Sequence, residues 1–268
     1  RFSLGKRRWH VRCCVKRTMI EGIYTAAASL STLERWQASI SQNLASSSVA
    51  GFKKSNFAIE SDAKLKPKYA PDGLSAARNT GGMPIQTTSV NFSPGDIKST
   101  GKATDLAIGG PGFFQVRGED NQNLYTRDGE FHFNSENILV TKQGLPVIGD
   151  AGEITIDPER GPVTFSRDGT ISQGDNQLGK VSLYDFEKTE GLVRVEGGFF
   201  EPSAGMEPNP LERIVVTQGA IEASNVTPMS EMVNLISVSR AYEAAQRAMT
   251  SHDDLISKAI GTLGTPTA

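Results

Sequence analysis

Two apolar stripes, one at each end of the chain, limit what this sequence can become. From Ile20 to about Ala45 there is no proline, and Gly22 is the one glycine. Ile23, Ala26, Leu30, Leu33, Gln37, Ile40 and Leu44 recur at alternating steps of three and four, a heptad seam with one polar intruder. At the other end Thr227-Pro228 is a helix-start signal, threonine as the cap and proline at the first helical position. Leu235, Val238, Tyr242, Ala245, Met249, His252, Ile256 and Ala259 follow in the same alternation, with Gly261 and Gly264 expected to stop the helix. A single helix of this length is marginal in water. The two ends are therefore expected to pair as an antiparallel coiled coil and to bury their remaining apolar surface against other subunits.

Charge is distributed as unevenly as hydrophobicity. Residues 1–18 hold seven basic side chains and no acid; removing those seven from the 28 basic residues leaves 21 against 30 acids, a formal charge of −9 on the rest. Such a body repels phosphate backbones, so no nucleic-acid partner is expected. The basic start resembles the n-region of a signal peptide, yet no apolar h-region follows, and Met19 reads as the start of the chain proper. Residues 1–18 are expected to be a disordered or non-native extension. No apolar run approaches the ~18 residues that span a bilayer, so membrane insertion is not expected. Both cysteines, Cys13 and Cys14, fall in the extension.

Between the ends the sequence reads as β. Leu124–Phe133 alternates around Asp128-Gly129, and Thr164–Ile171 does so around Asp168-Gly169, so both are expected to form hairpins with tight Asp-Gly turns. Further strands are expected at Leu106–Ile108, Phe113–Val116, Ile138–Thr141, Glu153–Ile156, Lys180–Asp185 and Arg213–Val216. Short strands without long intervening helices imply antiparallel pairing. The fold class is thus α+β, a mainly antiparallel β centre with terminal helices. The division expected is a helical part at 19–45 plus 229–264, an extended connecting part at 46–103 plus 206–228, and an outer β-rich part at 104–205.

Chemical motifs fail on inspection. Gly95–Ala103 imitates a phosphate-binding loop, but its spacing is one residue too long and Ala103 stands where a magnesium-binding hydroxyl is needed. Three scattered histidines and a cysteine-free body offer no metal site, and no Ser/His/Asp set or cleft carboxylate pair is identifiable. No catalytic residue, cofactor or metal is expected. A β-rich surface binding module remains the remote alternative, but it would not need amphipathic helices at both ends.

The residues at the two ends resemble a known family. Asn43-Leu44-Ala45 followed by Gly51-Phe52-Lys53 is similar to the N-terminal signature of bacterial flagellar axial proteins, with Ser46 where that family usually has asparagine. Ser224-Asn225-Val226, Glu231–Ile236 (including Asn234) and Arg240-Ala241-Tyr242-Glu243 resemble the C-terminal signature of rod and hook proteins. Asp105–Ile108, Gly112-Phe113-Phe114, Tyr125–Gly129 and Gly144–Val147 extend the likeness through the centre. The resemblance implies a structural subunit of the basal-body rod. It also implies export through the flagellar type III apparatus without a cleaved signal, partners among other axial proteins and copies of itself, and helices packed around a central channel. On that basis the assembly seam is assigned to Ile23, Leu30, Leu33, Ile40 and Leu44 against Leu235, Val238, Tyr242, Met249 and Ile256. Gly51 is expected to permit a chain reversal after the first helix. The Ile23–Ala26 opening and the length of about 250 residues from Met19 favour a proximal-rod type. The Glu231–Ile236 run and the Arg240–Glu243 tetrad are shared with the distal-rod type.

Overall fold

With no proline or glycine between Lys6 and Ile20, nothing interrupts a helical path through the basic extension. In the computed structural model helix α1 accordingly spans Lys6–Ala45 and passes through Met19 without a break. The structure describes residues 6–61, 84–211 and 213–263, and side chains within 26–58, 87–211, 213–258 and at 261. Residues 1–5, residues 62–83 of the expected connecting part, residue 212 and residues 264–268 lie outside the described residues. Helix α2 spans Pro228–Leu263. Its first residue has no N–H to leave unpaired in the opening turn. Contrary to expectation it continues through Gly261, because one glycine lowers helix propensity by only about 1 kcal/mol.

The strands follow in chain order. They are β1 (Ser55–Ser61), β2 (Pro84–Val90), β3 (Ile97–Ser99), β4 (Leu106–Ile108), β5 (Phe113–Arg117) and β6 (Asn123–Thr126). Next come β7 (Phe131–Phe133), β8 (Leu139–Thr141), β9 (Ile148–Gly149), β10 (Gly152–Glu153), β11 (Val163–Phe165), β12 (Thr170–Gln173) and β13 (Asn176–Lys180). The last are β14 (Leu183–Asp185), β15 (Leu192–Arg194), β16 (Phe200–Pro202), β17 (Asn209–Pro210), β18 (Val216–Gln218) and β19 (Ala220–Glu222). The chain divides into two compact units. One comprises residues 1–42, 56–89 and 229–268, the other 43–55 and 90–228. Segments assigned from sequence to the connecting and outer parts share the second unit. In the first unit β1 pairs with β2, and Trp36 stacks on Phe57 with ring centroids 6.5 Å apart.

The second unit is antiparallel in its strand ladders. Its largest sheet has six strands in the order β15-β16-β6-β5-β14-β17. Gln115 faces Tyr125, Leu183 faces Phe114, and Tyr184 faces Pro210 across it. Strand β17 ends the sheet after two residues, one of them Pro210. Strand β5 is buried on both faces, and successive side chains supply two different cores. Phe114 enters the larger one with Leu106, Val116, Leu139, Val147 and Ile171, edge-on to Phe131 at 5.1 Å. Phe113 enters a smaller aromatic core with Tyr125, Phe186, Leu192 and Phe200. Two outlying pairs, β4 with β18 and β3 with β19, bring residues 97–108 against 216–222.

Several sequence expectations need correction, among them the strand at Arg213–Val216, of which only Val216 falls in a strand, β18. The Asp168-Gly169 segment is a hairpin: β11 pairs with β12, Phe165 faces Ile171, and Gly169 adopts φ +81°. The Asp128-Gly129 segment is not, since β6 pairs with β5 and β16 while β7 pairs with β8. Gly129 serves close approach instead, because a Cβ there would lie 1.7 Å from the Leu106 carbonyl oxygen. Of the strand expected at Glu153–Ile156, only Glu153 falls in a named strand; Ile154 turns into the core, and Pro158 soon follows. Likewise Lys180–Asp185 is split between β13 and β14.

Truncating the ring that fills the larger core tests this packing. Phe114→Ala is expected to lower stability by about 3–5 kcal/mol, read as a fall in the thermal midpoint of the purified protein.

Candidate functional site

The run that leaves α1 is rich in small residues, Ala45–Gly51, and then turns to Phe52-Lys53-Lys54-Ser55. The turn is made at Gly51, φ +65°, whose N–H donates to the Glu222 carbonyl at 2.7 Å. A Cβ on Gly51 would lie 2.3 Å from the carbonyl carbon of Arg127 and from the amide nitrogen of Asp128. Only glycine supplies both the positive φ and the clearance. The segment is thereby pressed flat on the backbone that follows β6.

This contact places three charged side chains together. Lys53 Nζ donates to Glu222 Oε1 at 2.6 Å and to the Ser93 carbonyl at 2.9 Å. Arg127 Nη1 donates to Glu222 Oε2 at 3.2 Å, and the Gly95 N–H donates to Oε1 at 2.8 Å. Lys53 and Glu222 are 1% and 2% exposed and Arg127 is 7% exposed, so water screens this triad little. Burial lowers the pKa of Lys53, and its hydrogen bond and charge attraction to Glu222 oppose that shift. Burial likewise lowers the pKa of Arg127, against the pull of Glu222 and, less strongly, of Asp185. One carboxylate is therefore the hydrogen-bonded counter-charge of two desolvated cations, and its loss would leave them repelling each other.

Neighbouring groups complete the junction. Arg194, at the end of β15, donates from Nη1 to Ser55 Oγ at 3.1 Å and from Nη2 to the Lys53 carbonyl. Its guanidinium lies over Phe52 at 4.4 Å and over Phe200 at 5.6 Å. Asn43, in the last turn of α1, exchanges two bonds with the Ser55 backbone, each 2.9 Å. Asn225, just before α2, accepts from the Lys54 N–H at 2.7 Å and donates to the carbonyls of Asn91 and Ser93 at 2.8 and 3.0 Å. The segments that flank the two helices are thus bonded to each other at adjacent residues, 54 and 55.

Four of the signature residues, Asn43, Gly51, Phe52 and Asn225, meet here. Asn234 and Arg240 do not, and are exposed on α2. Of the assigned seam, Ile40 and Val238 are buried, and Leu30, Leu33, Leu44, Leu235, Tyr242, Met249 and Ile256 are half-buried. Ile23 falls where side chains lie outside the described residues. The Tyr242 hydroxyl donates to Glu34 Oε1 at 3.1 Å, a bond from α2 to α1. Sequence reasoning missed Lys53, Arg127, Arg194 and Glu222. Lys53 and Arg127 sit inside recognisable motifs, but no local pattern announces that they share a carboxylate 169 and 95 residues away. Among the described residues no group of three or more His, Cys, Asp or Glu is placed to hold a metal ion.

Two measurements probe the junction. Glu222→Ala is expected to destabilise the second unit by about 3–5 kcal/mol in urea unfolding, because two buried cations lose their counter-charge. Asp128 gives a pH signature. Burial pushes its pKa up from 3.8 to about 6, with Glu130 and Asp105 adding to the rise and the Glu130 N–H bond and Lys142 opposing it. The folded state thus holds this proton more tightly than the unfolded state, so its contribution to stability falls as pH rises through 3.8 to about 6. Asp128→Asn keeps an oxygen for the Glu130 N–H, now 3.0 Å from Asp128 Oδ1. It is expected to raise the melting temperature at neutral pH and to flatten the pH dependence across that window.

Comparison with known proteins gives this arrangement a family. The model for the flagellar hook protein FlgE/F/G D1 domain matches residues 107–173, and that for the flagellar basal body rod FlgEFG protein C-terminal matches residues 217–262. The flagellar basal-body rod protein FlgF of Caulobacter vibrioides is 34% identical over 249 residues, 92% of this chain and 99% of that relative. The FlgF of Salmonella typhimurium is 32% identical, covering 88% and 95%. The flagellar basal-body rod protein FlgG of Buchnera aphidicola subsp. Schizaphis graminum is 31% identical, covering 90% and 98%. The chain belongs to the flagellar basal-body rod protein family.

Proposed function

We propose that this chain is a structural subunit of the flagellar basal-body rod, of the proximal, FlgF-like type. In this reading it assembles through its terminal helices with other axial proteins and with copies of itself into a shaft that transmits torque. It resides in the basal body, reaches it through the flagellar type III export apparatus without a cleaved signal, and performs no catalysis. No helix among the described residues is long and apolar enough to cross a membrane.

One observation carries the reading: the start of α2 is apolar on two separate faces. Leu235, Val238 and Tyr242 lie on the covered side. Met229, Met232, Val233 and Ile236, spaced i, i+3, i+4, i+7, form a second stripe and are 72%, 47%, 57% and 54% exposed. At 3.6 residues per turn the centres of the two stripes lie about 140° apart. A single partner helix covers one side of such a helix and leaves the other in water. A contiguous exposed apolar stripe marks a protein–protein surface, and a subunit with neighbours on several sides provides for both. The FlgF relatives, one of them 34% identical, favour the proximal type, and the FlgG relatives keep the distal type as its alternative.

The two sides are separable by substitution. Val233→Asp alters the exposed stripe and Leu235→Asp the covered one. Each is expected to abolish swimming in soft agar and to remove the subunit from purified basal bodies, while circular dichroism shows the β structure retained. Normal motility of both variants would overturn the assembly role of α2.

A further inference from the structure

The geometry points to a folding-order latch: the segment Gly51–Ser55 docks only after Glu222 and Asn225 are in place, so the exit from α1 stays unfixed until the stretch that precedes α2 has folded. This goes beyond the rod reading and stands on the second unit alone.

Three observations carry it. First, although Ser93 and Asn91 meet Lys53 and Lys54 from about 40 residues away, the carboxylate and the side-chain amide that complete the docking come from much farther along the chain. Lys53 meets Glu222 across 169 residues and Lys54 meets Asn225 across 171. By contrast β5 and β6, or β11 and β12, pair across short turns. Loop closure is entropically harder for the longer separations, so the local hairpins form first. Second, the docked segment cannot be buried in halves. Lys53 and Arg127 share Glu222, and before Glu222 arrives a docked Lys53 would set one desolvated cation beside another. Glu222 in turn is held by β19, which pairs with β3, and Gly95 donates to its carboxylate. Third, the backbone donors of the segment are divided between late and local partners. The Gly51 and Lys54 N–H groups need Glu222 O and Asn225 Oδ1, whereas the Ser55 N–H needs only Asn43, 12 residues away. Arg194 adds a clamp from β15, but both of its acceptors belong to the same segment and cannot substitute for the missing carboxylate. The closing element is therefore the one that immediately precedes α2, and it fixes the position of the residues that immediately follow α1.

The test uses the full chain, refolded from denaturant, pulse-labelled by amide exchange and read by mass spectrometry with residue-resolving fragmentation. Protection of Phe114–Val116 and Leu124–Thr126 is expected in an earlier phase than protection of Gly51 and Lys54, which should appear together with Ala220–Glu222. The Ser55 amide serves as an internal control for local structure. Protection of Gly51 and Lys54 with, or before, β5 and β6 would overturn the latch. In the native state of Glu222→Gln, exchange at Gly51 and Lys54 is expected to rise on the order of 100-fold, and by a larger factor than exchange in β5 and β6. Unchanged exchange at those two amides would also overturn it. The refolding measurement on the unaltered chain decides the question even if that variant does not fold.

Discussion

A carboxylate shared by two buried cations organises this protein. Glu222 anchors Lys53 and Arg127 and receives the Gly95 N–H, so it ties together the chain after α1, the turn after β6 and the strand that precedes α2. Ion pairs at a surface contribute little, because water competes and salt screens. Here the residues are nearly inaccessible, and the energetic asymmetry is large: the intact triad is tolerable, while any incomplete version leaves unpaired buried charge. The aromatic faces of Phe52, Phe113 and Phe200 against the two arginines reduce the polar surface that the junction has to satisfy.

Much of the fold was legible because its signals are local. The three-and-four spacing of apolar residues marked both helices, and Leu106–Ile108 and Phe113–Val116 were recognisable as strands from short apolar runs bounded by glycine. The tetrads Thr126-Arg127-Asp128-Gly129 and Ser166-Arg167-Asp168-Gly169 show where local reading stops. They are nearly the same in sequence, and only the second makes a hairpin. The difference lies in what packs on the glycine. Gly169 needs positive φ, while Gly129 needs room for the Leu106 carbonyl, a requirement set by a strand distant in sequence.

The junction was half legible for the same reason. Asn43, Gly51, Phe52 and Asn225 stood out through a family resemblance, without a physical role attached to the asparagines. The structure supplies one: each uses a short, rigid amide to satisfy backbone groups of residues 54 and 55. Glu222 carried no signal, since an isolated glutamate in a polar stretch reads as solvated surface. Its importance arises from tertiary pairing, which neither periodicity nor composition encodes.

The short terminal strand of the large sheet has a consequence for its free edge. A ladder that stops at Asn209-Pro210 presents little more than a missing donor and a fixed kink to any approaching extended peptide. An extended chain is thereby discouraged from prolonging the sheet at this edge, which needs no covering element to stay unpaired.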